Sequence, residues 1–337
     1  MLDKPQMGLD LGLPEVIETG VTNARQPVKP NNAAAMSLDD MAKALNTHAD
    51  YRVIRRLVPA THFDGVATGP TKRVAVLDTE TTGLSAASDV IIELAVVVMD
   101  IDTTTGLPVG EVQVFDGFQD PGRPIPKEVQ QLTGISDDMV KGQALDEAAL
   151  SRIMDGVQWV VAHNAGFDRP FVEQRLPYFA DLPWACSFAD IAWKKHGVGS
   201  AKLEAVAAHN GWFYDAHRAD MDCHALAAVL AAPVGETGRN GWQVLLAALD
   251  APQYKLQATG APFDAKDLLK ARGYRWDSVQ RVWHTRLSSN AELDAECAWL
   301  ADHVYANPRA QVAIATVDAL ARYSARTPQT ETRPVRA

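Results

Sequence analysis

The strongest constraint on the fold is an unbroken succession of strand-like runs. Residues 74–77 form a short buried-strand pattern, residues 90–99 a longer one, and residues 112–118 alternate, with Gly106 and Pro108 in the turn between the last two. Three strands in a row with tight connections predict an antiparallel meander. Helical patterns then take over at residues 146–154, 167–175, 188–196, 202–210 and 219–230, interrupted by one more strand at 157–162. That order predicts a mixed sheet with helices packed on it, an α/β core of roughly 160 residues.

A chain of 337 residues has room for more than that core. Residues 1–50 read as a flexible arm carrying one short helix, opened by Ser37 and the acids Asp39 and Asp40. Residues 51–72 form a connector in which 51–57 continue an amphipathic helical pattern. The core spans 73–232, and the Gly-rich stretch from Pro233 to Gly241 begins a linker with a short helix, 233–250. A small module follows over 251–306, then a helix and a disordered tail, 307–337. The start of the chain has no basic region leading into an apolar run, and the purest apolar stretch, Leu94 to Met99, is far shorter than a membrane span, so the cytoplasm is the expected compartment. Cys186, Cys223 and Cys297 lie too far apart for a C-x-x-C zinc pair and are expected to be reduced and buried. A net charge of −10 argues against a simple basic nucleic-acid binder, but not against an enzyme that gathers carboxylates around cations and touches nucleic acid locally.

Three acidic clusters stand out. Asp78-Thr79-Glu80-Thr81-Thr82-Gly83-Leu84 follows a buried strand directly. A bare acid-x-acid triplet means little, and Asp294-Ala295-Glu296 is one such decoy. In a strand, however, residues i and i+2 point to one face, so Asp78 and Glu80 present two carboxylates together, whereas on the helix expected around Asp294 the pair diverges. The second cluster, His163-Asn164-Ala165-Gly166-Phe167-Asp168, again leaves a buried strand and opens a helix, with Asn164 placed as its cap and Asp168 in its first turn. The third, His217-Arg218-Ala219-Asp220-Met221-Asp222-Cys223-His224, opens another helix. His217 and Asp222 can share a rim if His217 lies in the loop before the helix, while Asp220 and His224 fall on an outer face. The same H-x-x-x-x-D spacing at His163 and Asp168 shows how little spacing decides alone. If Asp78, Glu80, Asp168 and Asp222 converge, each like-charge pair near 4 Å costs roughly 1 kcal/mol in water and about 4 at an effective dielectric of 20. Divalent cations relieve such a cluster, and an all-oxygen donor set selects hard ions, Mg²⁺ or Mn²⁺.

Taken together and in order, D-T-E-T-T-G-L, H-N-A-G-F-D and H-R-A-D-M-D resemble the three exonuclease motifs of the DEDD family in its histidine branch, the group of the bacterial DNA polymerase III epsilon proofreading subunit and ribonuclease T. The stretch from Pro124 to Val140 is similar to the segment that family carries between its first two motifs. The resemblance covers residues 73–232. It implies a ribonuclease-H-like fold, a mixed five-stranded sheet flanked by helices, and 3′ to 5′ exonuclease activity on nucleic acid, DNA above RNA. It also implies that Asp78, Glu80, Asp168 and Asp222 hold two divalent ions, one activating water and one stabilising the leaving oxygen. His217 is then the general base, a role that suits a residue type titrating near ~6.5. By the same resemblance Thr81 contacts the terminal 3′ hydroxyl, Leu84 wedges against the last base, and Asn164 and Phe167 shape the strand path. An RNA-trimming enzyme of the same fold and a non-catalytic nucleic-acid or polymerase adaptor are the alternative readings. The implied partners are the 3′ end of a strand and a replication or repair polymerase.

The C-terminal stretch from Lys266 to Asp277 resembles a small bacterial module of K-x-x-L-K-x-x-G-x-x-W-D form. A helix from Ala265 to Ala271 is expected to end at Gly273, followed by a hairpin bearing Trp276 and Trp283. Six Lys or Arg residues stand against two acids between Lys266 and Arg286. Lys270, Arg272, Tyr274 and Arg275 are the expected accessory nucleic-acid contacts, with the two tryptophans as the module's small core.

Overall fold

The computed structural model describes residues 36–251, 253–326 and 329–336; the arm expected over the first 35 residues lies outside them. The chain divides into two compact units, residues 1–52 and 53–337. In the first, α1 (Leu38–Asn46) starts where expected, with the Ser37 side chain accepting a hydrogen bond from the Asp40 amide. The helical pattern read over 51–57 is not realised. Within the second unit, the amides of Arg55 and Leu57 instead donate to the carbonyls of Gly211 and Phe213, so β1 (Arg55–Arg56) is a short strand.

The large sheet of the second unit comprises β2 (His62–Phe63), β3 (Thr71–Thr81), β4 (Ile91–Asp102), β5 (Pro108–Phe118), β6 (Trp159–Ala162) and β7 (Trp184–Cys186), in the order β2-β5-β4-β3-β6-β7. The first four are antiparallel neighbours; β6 and β7 add in parallel to β3. This is the mixed five-stranded sheet that was expected, extended at one edge by the two-residue β2. Alternation along β3 sends Val74 and Val76 to one core and Ala75 and Leu77 to the other. Both faces are covered, which is why these strands read as continuous apolar runs.

The β5 to β6 connection carries α2 (Lys127–Thr133), α3 (Asp137–Val140) and α4 (Glu147–Ile153), and α5 (Ala165–Arg175) follows β6. The segment read as one helix over 188–196 is broken into α6 (Ser187–Asp190) and a 3₁₀ turn at Trp193–His196. Its second half is tied back by the Trp193 indole donating to the Ser187 carbonyl at 2.7 Å. Then come α7 (Leu203–His209), β8 (Trp212–Phe213), which pairs in parallel with β1, α8 (Ala219–Ala231) and α9 (Gly241–Asp250). The stretch read as a linker is a fixed turn: Pro233 bridges to Asn240, whose side chain caps α9 and donates to the carbonyls of Thr105 and Gly106.

A second sheet holds β9 (Gln253–Ala258), β10 (Arg275–Asp277), β11 (Val282–Leu287), β12 (Gln311–Val317) and β13 (Glu331–Pro334), in the order β10-β11-β9-β12-β13. One face packs on α10 (Lys266–Ala271) and α11 (Asn290–His303). The helix end at Gly273 is as expected, with φ at +96°. The expected helix and disordered tail over 307–337 is overturned, because β12 pairs with β9 and leaves its other edge to β13, whose Pro334 sits on the outermost strand where a missing amide is tolerated. Asp294 and Glu296 diverge on α11, one to Arg333 and the other to Arg272.

Residues 318–326, after β12, pack beside β7 at the edge of the large sheet, where Tyr323 joins one of its cores. Buried Arg169 of α5 donates to the carbonyls of Arg322 at 2.6 Å and Leu320 at 2.7 Å and pairs with Glu173 at 2.6 Å. Among the described residues no helix is long and apolar enough to cross a membrane, and the three cysteines are free and buried.

Candidate active site

The carboxyl end of β3 carries Asp78 and Glu80 on one face. A register irregularity between Glu80 and Thr81 ends the regular pairing with β4, and the chain turns at Gly83, where an added Cβ would meet the Asp89 carboxylate at 2.6 Å. Asp89 and Arg123 clamp this turn through Thr82. Leu84 consequently stands 89% exposed at the rim. Thr81 does not face the cavity: its hydroxyl donates to the Gly83 carbonyl at 2.6 Å, so it supports the turn from beneath.

Strand β6 pairs with β3 only as far as Val76, leaving the Thr79 amide without a strand partner. Asp168, in the first turn of α5, fills the gap by accepting from the Thr79 amide at 3.2 Å and hydroxyl at 2.8 Å. This fixes a helix carboxylate against the strand that bears the other two. Asn164 occupies the cap position of α5 but makes no capping bond, because its left-handed backbone (φ 73°) turns the side chain onto the cavity wall. Phe167 lies beside it, packed against Phe171.

The third cluster arrives at the start of α8. His217 lies in the loop before the helix with φ at +64°, an uncommon conformation for a non-glycine residue. Its amide donates to one oxygen of Asp222 at 2.8 Å, and the Tyr214 hydroxyl donates to the other at 2.8 Å. Asp78, Glu80 and Asp222 thereby bring carboxylate oxygens within 4.8 Å of one another. Asp168 and His217 line the same cavity, of about 460 Å³. Asp220 and His224 do not line it.

The electrostatics are those of a cluster of like charges. Burial and the nearby Asp168, Asp222 and Glu80 charges raise the Asp78 carboxyl well above the ordinary range. Burial, then Asp222 and Glu93, lifts Glu80 to about 8; burial lifts Asp168 to about 7 and Asp222 to about 6. Arg218, paired with Glu93 at 2.9 Å, offsets the rise at Glu80 only in small part. Converging oxygens that hold protons this tightly fit hard divalent ions.

The two H-x-x-x-x-D pairs are separated by environment. His163 also lines the cavity, but its Nδ1 faces the Ser187 hydroxyl at 2.7 Å and burial lowers its pKa to about 4, so it is neutral near pH 7. Tyr214 and Glu93 escaped the sequence reading. Tyr214 has no motif signal, whereas Glu93 has one: it is a lone acid inside the apolar run of β4. There it accepts from the Ala219 amide at 3.1 Å as well as from Arg218, anchoring the start of α8 and hence His217 and Asp222. Glu93→Ala is expected to cost about 3 kcal/mol in urea unfolding, the low end for a broken buried pair because Arg218 can reach water, and to lower kcat more than it raises KM.

The accessory contacts are redistributed. Tyr274 is buried in the second sheet's core and Trp276 is half exposed, the reverse of the expectation, because Tyr274 directly follows the glycine that ends α10 and points back over Leu269. Arg272 pairs with Glu296, Lys270 lies exposed on α10, and Arg275 is exposed on β10.

The Exonuclease family model matches residues 75–230. DNA polymerase III PolC-type from Listeria welshimeri is 46% identical over 100 residues, 29% of this chain and 6% of that protein. The same-named protein of Clostridium perfringens is 34% identical over 168 residues, 46% of this chain and 11% of that protein. The chain thus spans only a small part of the curated relatives it matches. A solved structure of exonuclease X in complex with 5′ overhanging duplex DNA aligns with a TM-score of 0.39 and 26% identity, over 51% of this chain and 97% of that one.

Proposed function

We propose, from the premise that residues 75–230 are an exonuclease domain of the DEDD superfamily, that this chain is a metal-dependent 3′ to 5′ exonuclease acting on DNA. The observation that carries the reading is the meeting of Asp78, Glu80 and Asp222 within 4.8 Å, in a cavity that Asp168 and His217 also line. DNA is favoured because the matched relatives are DNA polymerases, which makes a replication or repair polymerase the partner class the reading implies.

Asp78, Glu80, Asp168 and Asp222 would hold two divalent ions, Mg²⁺ or Mn²⁺. Bound there, the ions would supply an activated water and offset the charge developing on the phosphate and the leaving oxygen. His217 accepts the proton of the attacking water at its imidazole, while its amide keeps Asp222 in place. Tyr214 restrains the second Asp222 oxygen. His163, kept neutral by burial, is not the base. Exposed Leu84, with Phe167 and Asn164, gives the cavity an apolar and polar wall on which a terminal nucleotide can rest.

The test is digestion of 3′-labelled and 5′-labelled DNA and RNA oligonucleotides with Mg²⁺, Mn²⁺ or chelator. The expected result is stepwise loss from the 3′ end of DNA, abolished by chelator. His217→Ala should lower kcat by roughly 10²–10⁴-fold. Internal cuts, or cleavage indifferent to chelator, would overturn the assignment; equal digestion of RNA would overturn the DNA preference.

A further inference from the structure

The second sheet packs one face on α10 and α11 and leaves the other partly open: Gln257 and Ala315 there are buried, Arg275 and Arg286 exposed. Cross-strand partners share a face, so the pairs Trp276 with Trp283 and Leu287 with Tyr254 lie toward α10 and α11, while Arg275 with His284 and Arg286 with Lys255 lie on the other side. That open face is positively charged in a chain whose net charge is −10. Among the described residues its one ion pair joins Lys255 to Asp277 at 3.8 Å, and neither Arg275 nor Arg286 has a carboxylate partner. The Arg286 guanidinium instead lies 5.7 Å over the Tyr323 ring. Burial, then the charges of Lys255, Arg286 and Arg275 working against Asp277, hold His284 below the ordinary histidine value, an independent sign of how closely these cations crowd.

The face continues into the catalytic cavity. That cavity shares Asn164 and Phe188 with a second, of about 610 Å³, whose opposite wall is formed by Arg275, His284 and Arg286. The second shares Arg286 and Tyr323 with a third, of about 230 Å³, to which Lys255 belongs. The run of cavities therefore passes from clustered carboxylates, past an aromatic side chain, to unpaired cations. We propose that the open face of the second sheet is the track by which a single strand of nucleic acid approaches the catalytic cavity, its phosphates bound by Arg275 and Arg286. The proposal rests on the exonuclease reading and deepens it by locating the part of the strand that lies 5′ of the reacting end. Guanidinium groups suit this task because their forked donors match phosphate oxygens and stay charged at every working pH.

The test is fluorescence anisotropy of a 5′-labelled oligothymidylate of about 20 nucleotides with the full chain in chelator, so that binding is read without turnover. The double variant Arg275→Ala/Arg286→Ala should raise Kd at least tenfold at about 50 mM salt. It should also flatten the dependence of log K on log salt by about 1.4, the release expected for two single-strand phosphate contacts. Arg275→Lys/Arg286→Lys should recover most of the affinity and the slope. Arg309→Ala removes one charge from an exposed turn outside the three cavities and should leave Kd within twofold. An unchanged Kd and salt slope in the double alanine variant, with its melting temperature preserved, would overturn the track. Should the wild type bind with the expected slope yet cleave nothing with Mg²⁺ or Mn²⁺, the exonuclease reading fails and the binding face stands. Should it cleave while the double variant binds like wild type, the opposite holds.

Discussion

Asp78→Asn is expected to lower 3′-end cleavage at least roughly 10³-fold, about 4 kcal/mol of barrier, and at the same time to raise the melting temperature of the metal-free protein at pH 8. The two effects share one cause. Asp78 contributes charge to a cluster in which three carboxylates bring oxygens within 4.8 Å and a fourth lines the same cavity. In the native state these acids hold their protons more tightly than in the unfolded chain, with Glu80 at about 8, Asp168 at about 7 and Asp222 at about 6. Stability from a group whose folded pKa is raised is present below its unfolded value and lost as pH climbs through the folded one. The metal-free wild type should therefore weaken between about pH 4 and 8, by on the order of a few kcal/mol, or roughly 5–10 °C. Mg²⁺ binds only the deprotonated carboxylates and should restore most of the loss at pH 8 and little at pH 5. Asp78→Asn removes one titrating carboxyl, so its metal-free melting curve should be flatter across this range and its Mg²⁺ response smaller. Differential scanning calorimetry at pH 5 and 8, with chelator and with Mg²⁺, measures all four quantities. A wild type whose metal-free stability rises toward pH 8 would show that the cluster is not under the strain described.

The site was legible because its chemistry is local in sequence. Asp78 and Glu80 sit two apart at the end of a buried strand, and His217 and Asp222 lie before and within the start of a helix, but each spacing is weak alone and only the three motifs taken together single these residues out. Their supports were less visible. Glu93 acts through Arg218 and Ala219, 125 and 126 positions away, and only its polarity within β4 hints at it. Thr81 and the capping role of Asn164 differ from expectation for backbone reasons: the irregularity after Glu80 turns the one inward, and a left-handed φ turns the other away from the helix and onto the cavity wall. The second sheet was hardest. Its strands β12 and β13 have no strong pattern of their own, and their identity depends on the free edge of β9, which is fixed only when residues 253–258 and 311–317 meet. Tyr274 and Trp276 differ from expectation because Tyr274 precedes β10, directly after Gly273 at the end of α10, where it is buried, whereas Trp276 lies on the edge strand, where it stays half exposed.

Arg169→Met is expected to cost about 3–5 kcal/mol, roughly 10 °C in melting temperature for a unit of this size, and to make residues 318–326 the first site of proteolysis. Arg169 is wholly buried, one residue after the carboxylate fixed to Thr79. Its guanidinium spreads its donors over Glu173 and the carbonyls of Leu320 and Arg322, lies 5.3 Å over the Trp184 ring, and reaches the Ala319 carbonyl at 3.3 Å. Methionine matches the length of the stem but leaves these carbonyls without donors in a region closed to water, at about 1–3 kcal/mol for each group that finds no new partner. The return contact is made by Arg322, which donates to the carbonyls of Ala248, at 2.6 Å, and Ala251, so this segment is held from both sides. It follows that the second sheet is not a detachable appendage. A chain ending at residue 250 would keep Arg169 and lose every carbonyl supplied by residues 319–322, leaving a buried cation poorly paired beside Asp168, and is expected to be recovered mainly insoluble. Limited proteolysis and urea titration of the full-length Arg169→Met variant separate the two effects. A melting temperature within about 2 °C of wild type, with residues 318–326 still protected, would show that this segment is held by its strands alone.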